Sequence, residues 1–308
     1  MVKLFWGLIK EARPRQWVKN FAVFAALIFS GSLFDPEMQL KSFYAFLLFC
    51  GFSSATYIIN DIFDIERDKL HPFKTKRPIA SGIIKPTMGI FIALLLIFTL
   101  LPFAFKVSPA FFLASVLYLI LQLFYSAYWK QVILLDVIVI AAGFVLRVYA
   151  GVWAIDAHLN VWFLLSVISF ALFLAIGKRR SELTLMHSQA SKHRETLLHY
   201  PENLLDILTS MFANSTWLTY ALFAFQQPPI LTPVNISGFL TQLDVTVTQV
   251  KYLMITVPVV IYGVMRYLYI IYEKKEGESP ERILVTDIPL LSSVLLWLTL
   301  VILITYYL

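Results

Sequence analysis

Long apolar runs separated by short polar stretches dominate this chain. Runs near 20–35, 41–60, 87–105, 109–128, 132–153, 160–177, 206–226, 251–271 and 287–307 come close to or exceed the roughly 20 residues an α-helix needs to cross a bilayer. The runs are continuous. A membrane β-barrel would show strands of about ten residues with alternating apolar and polar positions, so that architecture is excluded. The pattern predicts an all-α polytopic membrane protein with about nine transmembrane helices, organised as a single domain over residues 1–308. The lengthy polar segments are 61–86, 178–205 and 272–286, and no low-complexity stretch or repeat stands out.

Composition sharpens this picture. Hydrophobic residues make up 59% of the 308 and charged residues 14%, with a mean hydropathy of +0.76. A soluble domain is nearer about 45–50% apolar and 25% charged, so a soluble enzyme is excluded. Cys50 is the single cysteine and forms no intrachain disulfide, and the five histidines lack metal-ligand spacing. The N-terminus carries Lys3, Lys10, Arg13, Arg15 and Lys19 without a separate apolar core and small-residue cleavage site, so no cleavable signal peptide is expected.

The net charge of +6 reads as loop placement and anionic partners rather than nucleic acid. With the N-terminus inside, 20 of the 25 Lys and Arg fall on the cytoplasmic side, and Lys41, Lys106 and Lys251 on the other. Arg147 and Arg266 lie within spans, the latter as a snorkelling interfacial residue. This asymmetry predicts a cytoplasmic N-terminus and an active site opening to the cytoplasmic face.

The sharpest local feature is Asn60-Asp61-Ile62-Phe63-Asp64-Ile65-Glu66-Arg67-Asp68, at the end of the second span. At about 100° per residue, Asp61, Asp64 and Asp68 fall within about 60° on one helical stripe. Three carboxylates on one stripe repel unless a cation sits among them. Hard oxygen ligands favour Mg²⁺, which commonly binds one or two carboxylates together with substrate phosphates. The functional reading is a Mg²⁺-diphosphate site; the plain alternative is a solvated acidic helix end balanced by Arg67 and Lys69. Downstream, His71-Pro72-Phe73-Lys74-Thr75-Lys76-Arg77-Pro78-Ile79-Ala80-Ser81-Gly82 is basic and turn-rich. Lys74, Lys76 and Arg77 there either neutralise phosphate oxygens or simply mark the cytoplasmic side. His71 reads as a loop histidine.

The Asn60-Asp61-x-x-Asp64-x-x-x-Asp68 motif followed by Arg77-Pro78-Ile79-Ala80-Ser81-Gly82 resembles the UbiA superfamily of intramembrane prenyltransferases. The resemblance implies a UbiA-type bundle whose first Asp-rich motif, here Asp61, Asp64 and Asp68, coordinates Mg²⁺ and the donor diphosphate. Members that prenylate aromatic rings carry a second Asp-rich motif near the end of the sixth span. This chain has Gly177-Lys178-Arg179-Arg180-Ser181-Glu182-Leu183 instead. A cationic cluster there suits an anion bound without metal.

Further segments are similar to decaprenyl-phosphate phosphoribosyltransferases: Arg13-Pro14-Arg15-Gln16-Trp17-Val18-Lys19-Asn20, Tyr125-Ser126 with Lys130 and Asp136, Gly143-Phe144-Val145-Leu146-Arg147, and Gly277-Glu278-x-Pro280-Glu281. That branch implies phosphoribosyl pyrophosphate as donor, a polyprenyl phosphate as acceptor and pyrophosphate as leaving group, in a bacterial inner membrane. Asn60 would hydrogen-bond at the edge of the metal site. Lys19, Lys74, Arg77 and Lys130 are the candidate phosphate clamps, with Lys178, Arg179 and Arg180 as further ones.

Arg147 lies deep in the fifth span and calls for either Asp136 or a bound phosphate as partner. Tyr125 and Asp136 would orient ribose hydroxyls or serve structure. The 26 Phe fit an isoprenoid groove or ordinary packing, and Trp6 and Trp17 read as interface anchors. A homo-oligomer is compatible with this reading. The competing functions are prenyl transfer to an aromatic acceptor such as 4-hydroxybenzoate, and a transporter, which would place polar groups near the membrane midplane.

Overall fold

The computed structural model describes residues 2–70, 74–188, 200–227, 251–274 and 279–307, and among them there is no β-strand. An amphipathic helix α1 (Val2–Ala12) lays Leu4 and Leu8 on a cluster formed by Ile58, Ile79 and Ile84. A 3₁₀ segment, Pro14–Phe24, then runs into the short α2 (Ala25–Phe29). Next comes α3 (Pro36–Phe63), started by Asp35, whose Oδ1 accepts from the Glu37 backbone N–H at 2.9 Å, with Pro36 at the first helical position. The short α4 (Ile65–Lys69) carries the chain on past Asp64.

The remaining helices are α5 (Pro86–Val107), α6 (Pro109–Ala127), α7 (Leu135–Ala154), α8 (Val161–Ser188), α9 (Glu202–Gln226), α10 (Val257–Tyr269), α11 (Pro280–Thr286) and α12 (Ile288–Tyr307). A 3₁₀ turn, Tyr252–Thr256, leads into α10 and a π-helical turn, Ile270–Lys274, leaves it. Among the described residues, seven helical units are long and apolar enough to cross a membrane: α3, α5, α6, α7, α8, Tyr252–Lys274 and α12.

Two of the nine expected runs take a different form. The run at 206–226 lies in α9, which packs along α8. Its polar positions are satisfied internally: the Thr209 and Thr216 hydroxyls donate to the Leu205 and Phe212 carbonyls at 2.6 and 2.7 Å. The run at 20–35 is the 3₁₀ segment plus α2. At about 2.0 Å per 3₁₀ residue and 1.5 Å per α residue, Pro14–Phe29 covers about 30 Å, the thickness of a bilayer core.

Two contacts hold that segment in place. Asn20, fully buried, donates to Ser53 Oγ at 3.1 Å and accepts from Arg147 Nε at 2.8 Å. Gly151 of α7 lies so close that a Cβ there would sit 1.9 Å from the Val23 carbonyl oxygen. The core around this crossing contains Val23, Phe49, Phe52, Phe111, Tyr118 and Ala150, from the 3₁₀ segment, α3, α6 and α7. Trp17, expected as an interface anchor, instead donates its indole N–H to Ser54 Oγ at 3.0 Å, while Trp6 is exposed as expected.

Candidate active site

The carboxylate motif does not lie on one unbroken helix. α3 stops at Phe63, Asp64 takes φ −97° and ψ 5°, and α4 restarts at Ile65. The expected stripe therefore divides, with Arg77 shared by Asp61 and Asp68 and Lys130 on Asp64. Asp61, 2% exposed, has both oxygens engaged by the Arg13 guanidinium, at 2.5 and 2.6 Å, and Arg77 reaches its Oδ1 at 3.0 Å. Arg77 also bonds Asp68 Oδ2 at 2.6 Å. Asp64 accepts from Lys130 Nζ at 2.7 Å and from Asn60 Nδ2 at 3.2 Å, with Arg67 3.9 Å away. Among the described residues, no three carboxylate, His or Cys groups converge as a ready-made metal cage. Opposite charges on neighbouring elements account for this: each carboxylate lies nearer a cation than another carboxylate.

The backbone contributes to this arrangement. Arg13 lies in the left-handed region, φ 51° and ψ 60°, between α1 and the 3₁₀ segment. A non-glycine residue there is strained, and the following proline narrows its choices further. The doubly hydrogen-bonded Asp61 offsets that strain. The turn also lays the Arg13 guanidinium 5.0 Å from the Tyr57 ring centroid. Lys10 Nζ donates to the Lys76 carbonyl at 2.9 Å, tying α1 to the basic loop, and Lys74 stands close enough to Asp68 to lower its pKa. Burial wins at Asp68, whose carboxyl is held above its usual range despite Arg77. Glu11, 2% exposed, has no hydrogen-bond partner on either oxygen; burial first, then the Asp61 charge, push it up to about 8.

The cationic run at the end of α8 is distributed over three directions, as a turn of about 100° per residue requires. Arg179 is 2% exposed and bonds Asp136 Oδ2 at 2.6 Å, Glu182 Oε2, and the Tyr125 hydroxyl at 3.5 Å. Tyr200 completes this network: its hydroxyl donates to Asp136 Oδ1 at 2.7 Å and accepts from the Leu134 N–H at 2.6 Å. Leu134 has φ 66°, so the Tyr200 bond holds a strained turn at the start of α7. Arg180 points toward α9, bonding Asp206 at 2.5 Å and Glu202 at 2.7 Å. Lys178 is the most open of the three, with Glu182 3.9 Å away. Asp136 and Tyr125 therefore sit in a closed ion-pair network, and Arg180 faces away from it.

Arg147 finds neither Asp136 nor another carboxylate among its hydrogen-bond partners. Its Nε donates to Asn20, NH1 to the Gly143 carbonyl at 2.7 Å and NH2 to the Tyr118 hydroxyl at 2.8 Å, with the Tyr118 ring centroid 4.8 Å away. Asp136 lies in the first turn of the same helix, three turns distant, and is already held by Arg179. Arg266 does not snorkel. It pairs with Asp287 through two bonds of 3.0 and 2.9 Å.

A third group lies between these halves. Lys19 Nζ is 3.5 Å from Glu281 Oε2, while Gln16 Nε2 donates to Glu281 Oε1 at 2.6 Å and Tyr57 donates to Gln16 Oε1 at 3.4 Å. Burial raises the Glu281 carboxyl, but Lys19 and Lys178 outweigh it and leave it below its ordinary range. Sequence reasoning gave Arg13, Gln16 and Glu281 no roles, although all three lie in segments with a recognisable pattern. Glu11 carries no local signal. His71, Gly277 and Glu278 lie outside the described residues, as does most of the loop at 227–249.

The profile of the UbiA prenyltransferase family matches residues 20–279. In sequence the chain is similar to the decaprenyl-phosphate phosphoribosyltransferase of Corynebacterium glutamicum, 37% identical over 223 residues, which cover 71% of this chain and 67% of that protein. It is also similar to the decaprenyl-phosphate phosphoribosyltransferase of Mycolicibacterium smegmatis, 36% identical over 225 residues, 72% of this chain and 71% of that one. In structure it is similar to a UbiA homolog from Archaeoglobus fulgidus bound to GPP and Mg²⁺, with a TM-score of 0.69 and 20% identity, covering 96% and 99% of the two chains. A structure of digeranylgeranylglyceryl phosphate synthase matches with a TM-score of 0.63 and 16% identity, covering 98% and 99%. These two likenesses show the shared helical fold. The chain is an integral membrane protein and belongs to the UbiA prenyltransferase family.

Proposed function

We propose that this protein transfers 5-phosphoribose from phosphoribosyl pyrophosphate to a polyprenyl phosphate in a bacterial inner membrane, with its N-terminus and site on the cytoplasmic side. One observation carries the choice of donor and acceptor. Among the described residues, the site has a carboxylate–amide half at Asn60, Asp64 and Asp68, and a cation half at Lys19 and Lys178 with no second pair of aspartates beside it. One anion can be held through a metal and another by cations alone. The decaprenyl-phosphate phosphoribosyltransferases similar in sequence support the same reading.

The oxygen-rich donor set fits Mg²⁺. Asp64 is the more open carboxylate, with Asn60 beside it and Asp68 one helical turn on, and these residues would hold the ion. Asp61, with both oxygens on Arg13, fixes Arg13 and Arg77 in place. When bound, Mg²⁺ neutralises charge developing on the departing pyrophosphate.

The chain's own residues do the rest. The anomeric C1–O bond to pyrophosphate breaks, pyrophosphate leaves with the electron pair, and an oxygen of the acceptor phosphate bonds to C1. Arg77, Lys74 and Lys130 would stabilise the leaving oxygens, an electrostatic contribution of several kcal/mol, on the order of 3. The acceptor phosphate is already an anion near neutral pH and needs placement by cations rather than a strong base; Lys19 and Lys178 supply positive charge to this part of the site, for the acceptor phosphate and the donor's 5-phosphate alike. Arg179, Asp136 and Tyr125 keep the wall behind it rigid, and Arg180 fastens α8 to α9.

The test is a pair of assays on purified protein in detergent with Mg²⁺. Pyrophosphate should be released from phosphoribosyl pyrophosphate only when polyprenyl phosphate is present. Turnover of a prenyl diphosphate with 4-hydroxybenzoate, and none with the first pair, would overturn the reading.

A further inference from the structure

Glu281 is an anion in a place otherwise supplied with donors. It sits in the first turn of α11, against the 3₁₀ segment, where Gln16 occupies its Oε1 at 2.6 Å. Its Oε2 is buried and has no hydrogen-bond partner, the Lys19 ammonium standing 3.5 Å off. A carboxylate can accept about four hydrogen bonds, so this oxygen, held by the Lys19 charge but accepting no hydrogen bond, keeps the capacity to accept one from a ligand hydroxyl. The Tyr267 hydroxyl is also buried without a hydrogen-bond partner.

The chemistry of the missing partner is constrained by charge. Lys19 and Lys178 attract phosphate, but Glu281 repels it. A ligand that satisfies all three presents an anionic oxygen to the lysines and a neutral hydroxyl to Glu281. An isoprenoid diphosphate carries no hydroxyl. A phosphorylated ribose carries hydroxyls on the carbons between its two phosphate-bearing positions.

We propose that Glu281 is a specificity-determining residue whose Oε2 accepts a hydrogen bond from a ribose hydroxyl of the donor. This rests on the reading of the donor as phosphoribosyl pyrophosphate. It gives the site a means of selecting a sugar donor over a prenyl one. A site built to bond a hydroxyl rejects the analogue lacking it far more strongly than an apolar pocket rejects a change in size. Gln16 then acts as a positioning residue, holding Oε1 so that Oε2 keeps its direction.

The experiment measures binding to the full-length protein in detergent with Mg²⁺, using ribose 5-phosphate, its 2-deoxy and 3-deoxy analogues, and pyrophosphate as probes. The wild type should prefer ribose 5-phosphate over one deoxy analogue by about 10- to 100-fold, the value of one hydrogen bond to a charged group. Glu281→Ala should bind all three sugars alike and leave pyrophosphate binding unchanged. Glu281→Gln, which keeps the shape and an accepting oxygen, should keep an intermediate preference. An unchanged sugar preference in Glu281→Ala, or equal weakening of pyrophosphate and sugar, would reduce Glu281 to a structural tether and overturn the proposal. If the wild type binds a prenyl diphosphate but neither ribose 5-phosphate nor phosphoribosyl pyrophosphate, the donor assignment itself falls, a result readable before any variant is made.

Discussion

The end of α3 and the end of α8 both place charged side chains at the polar mouth of the bundle, yet they solve the problem differently. At α3–α4 the carboxylates are shared among cations on other elements: Arg13 before the 3₁₀ segment, Arg77 in the basic loop and Lys130 after α6. Asp64 retains 16% side-chain exposure, and its partners can be exchanged for a ligand. At α8, Arg179 and Asp136 are 2% and 1% exposed, and Tyr200, Glu182 and Tyr125 close the network around them. A charge that will meet substrate needs a reachable face. A charge that holds the wall does not, and its partners fill every direction.

The largest expected effect tests the open side. Asp64→Asn keeps the side-chain shape and the Asn60 contact but removes the charge. Mg²⁺-dependent product formation should fall by at least about 100-fold, the scale of losing one preorganised electrostatic group. Size-exclusion behaviour and the melting temperature should stay close to wild type. A variant that is active but unstable would reverse the assignment of open and closed regions.

Next comes the closed side. Arg179→Met leaves Asp136 and Glu182 buried without their guanidinium, a loss of about 3–5 kcal/mol for a broken buried pair. Thermal unfolding in detergent should show it, and adding Asp136→Asn should recover part, because the uncompensated charge is the main penalty. Activity in the surviving folded fraction should fall much less than in Asp64→Asn. Equal losses would place Arg179 at the substrate.

Much of this contrast could be read from the sequence, and the remainder had a physical reason to be hidden. The spans and the Asn60–Asp68 motif are local patterns, and α3, α5, α6 and α7 appear where hydropathy and length put them, while α8 runs on to Ser188 through what reads as a polar segment. The partners of these carboxylates are not local: Lys130, 66 residues on, holds Asp64, while Arg77 holds Asp61 and Asp68. The Lys178-Arg179-Arg180 run looks uniform in sequence, but helical rotation sends its members to three environments. Asp136 and Arg147 share a helix and opposite charges, which suggested a pair. Arg179, 43 residues from Asp136, outcompetes Arg147 because it approaches from a neighbouring helix at the same level. The close approach of the Pro14–Phe24 segment to α7 rests on Gly151, where any Cβ would meet the Val23 carbonyl, a contact 128 residues away in sequence that no local pattern reveals.

A smaller effect should separate Lys178 from its neighbour. Its side chain is 34% exposed and loosely paired with Glu182 at 3.9 Å. Lys178→Ala should leave the melting temperature within about a degree of wild type, as expected for a surface change of about 0.5 kcal/mol or less. Binding of ribose 5-phosphate should weaken by about tenfold, in keeping with one lost charge-assisted contact. A stability loss like that of Arg179→Met would show that exposure does not divide the two roles.

The smallest effect comes from an ion pair outside both regions. Asp287 caps the start of α12, accepting from the Leu290 N–H at 3.1 Å, from Arg266 twice and from Lys274 at 2.8 Å. Arg266, more than burial or Lys274, settles its titration, and the carboxyl is held well below the usual carboxylate range. The sign follows from that depression. Between the folded and unfolded values the unfolded chain binds the extra proton, so stability is present above the unfolded value, near about 4, and is lost as pH falls toward the folded one. Asp287→Asn should therefore lower the melting temperature by a few degrees, roughly 2–4, at neutral pH. The gap to wild type should narrow steadily on acidification below about pH 4, where the native carboxylate loses its advantage. Turnover per folded molecule should not change, because no residue of the open cluster touches this pair. A fall in turnover with intact stability would extend the active region to the last span and remove the contrast between charges that work and charges that hold.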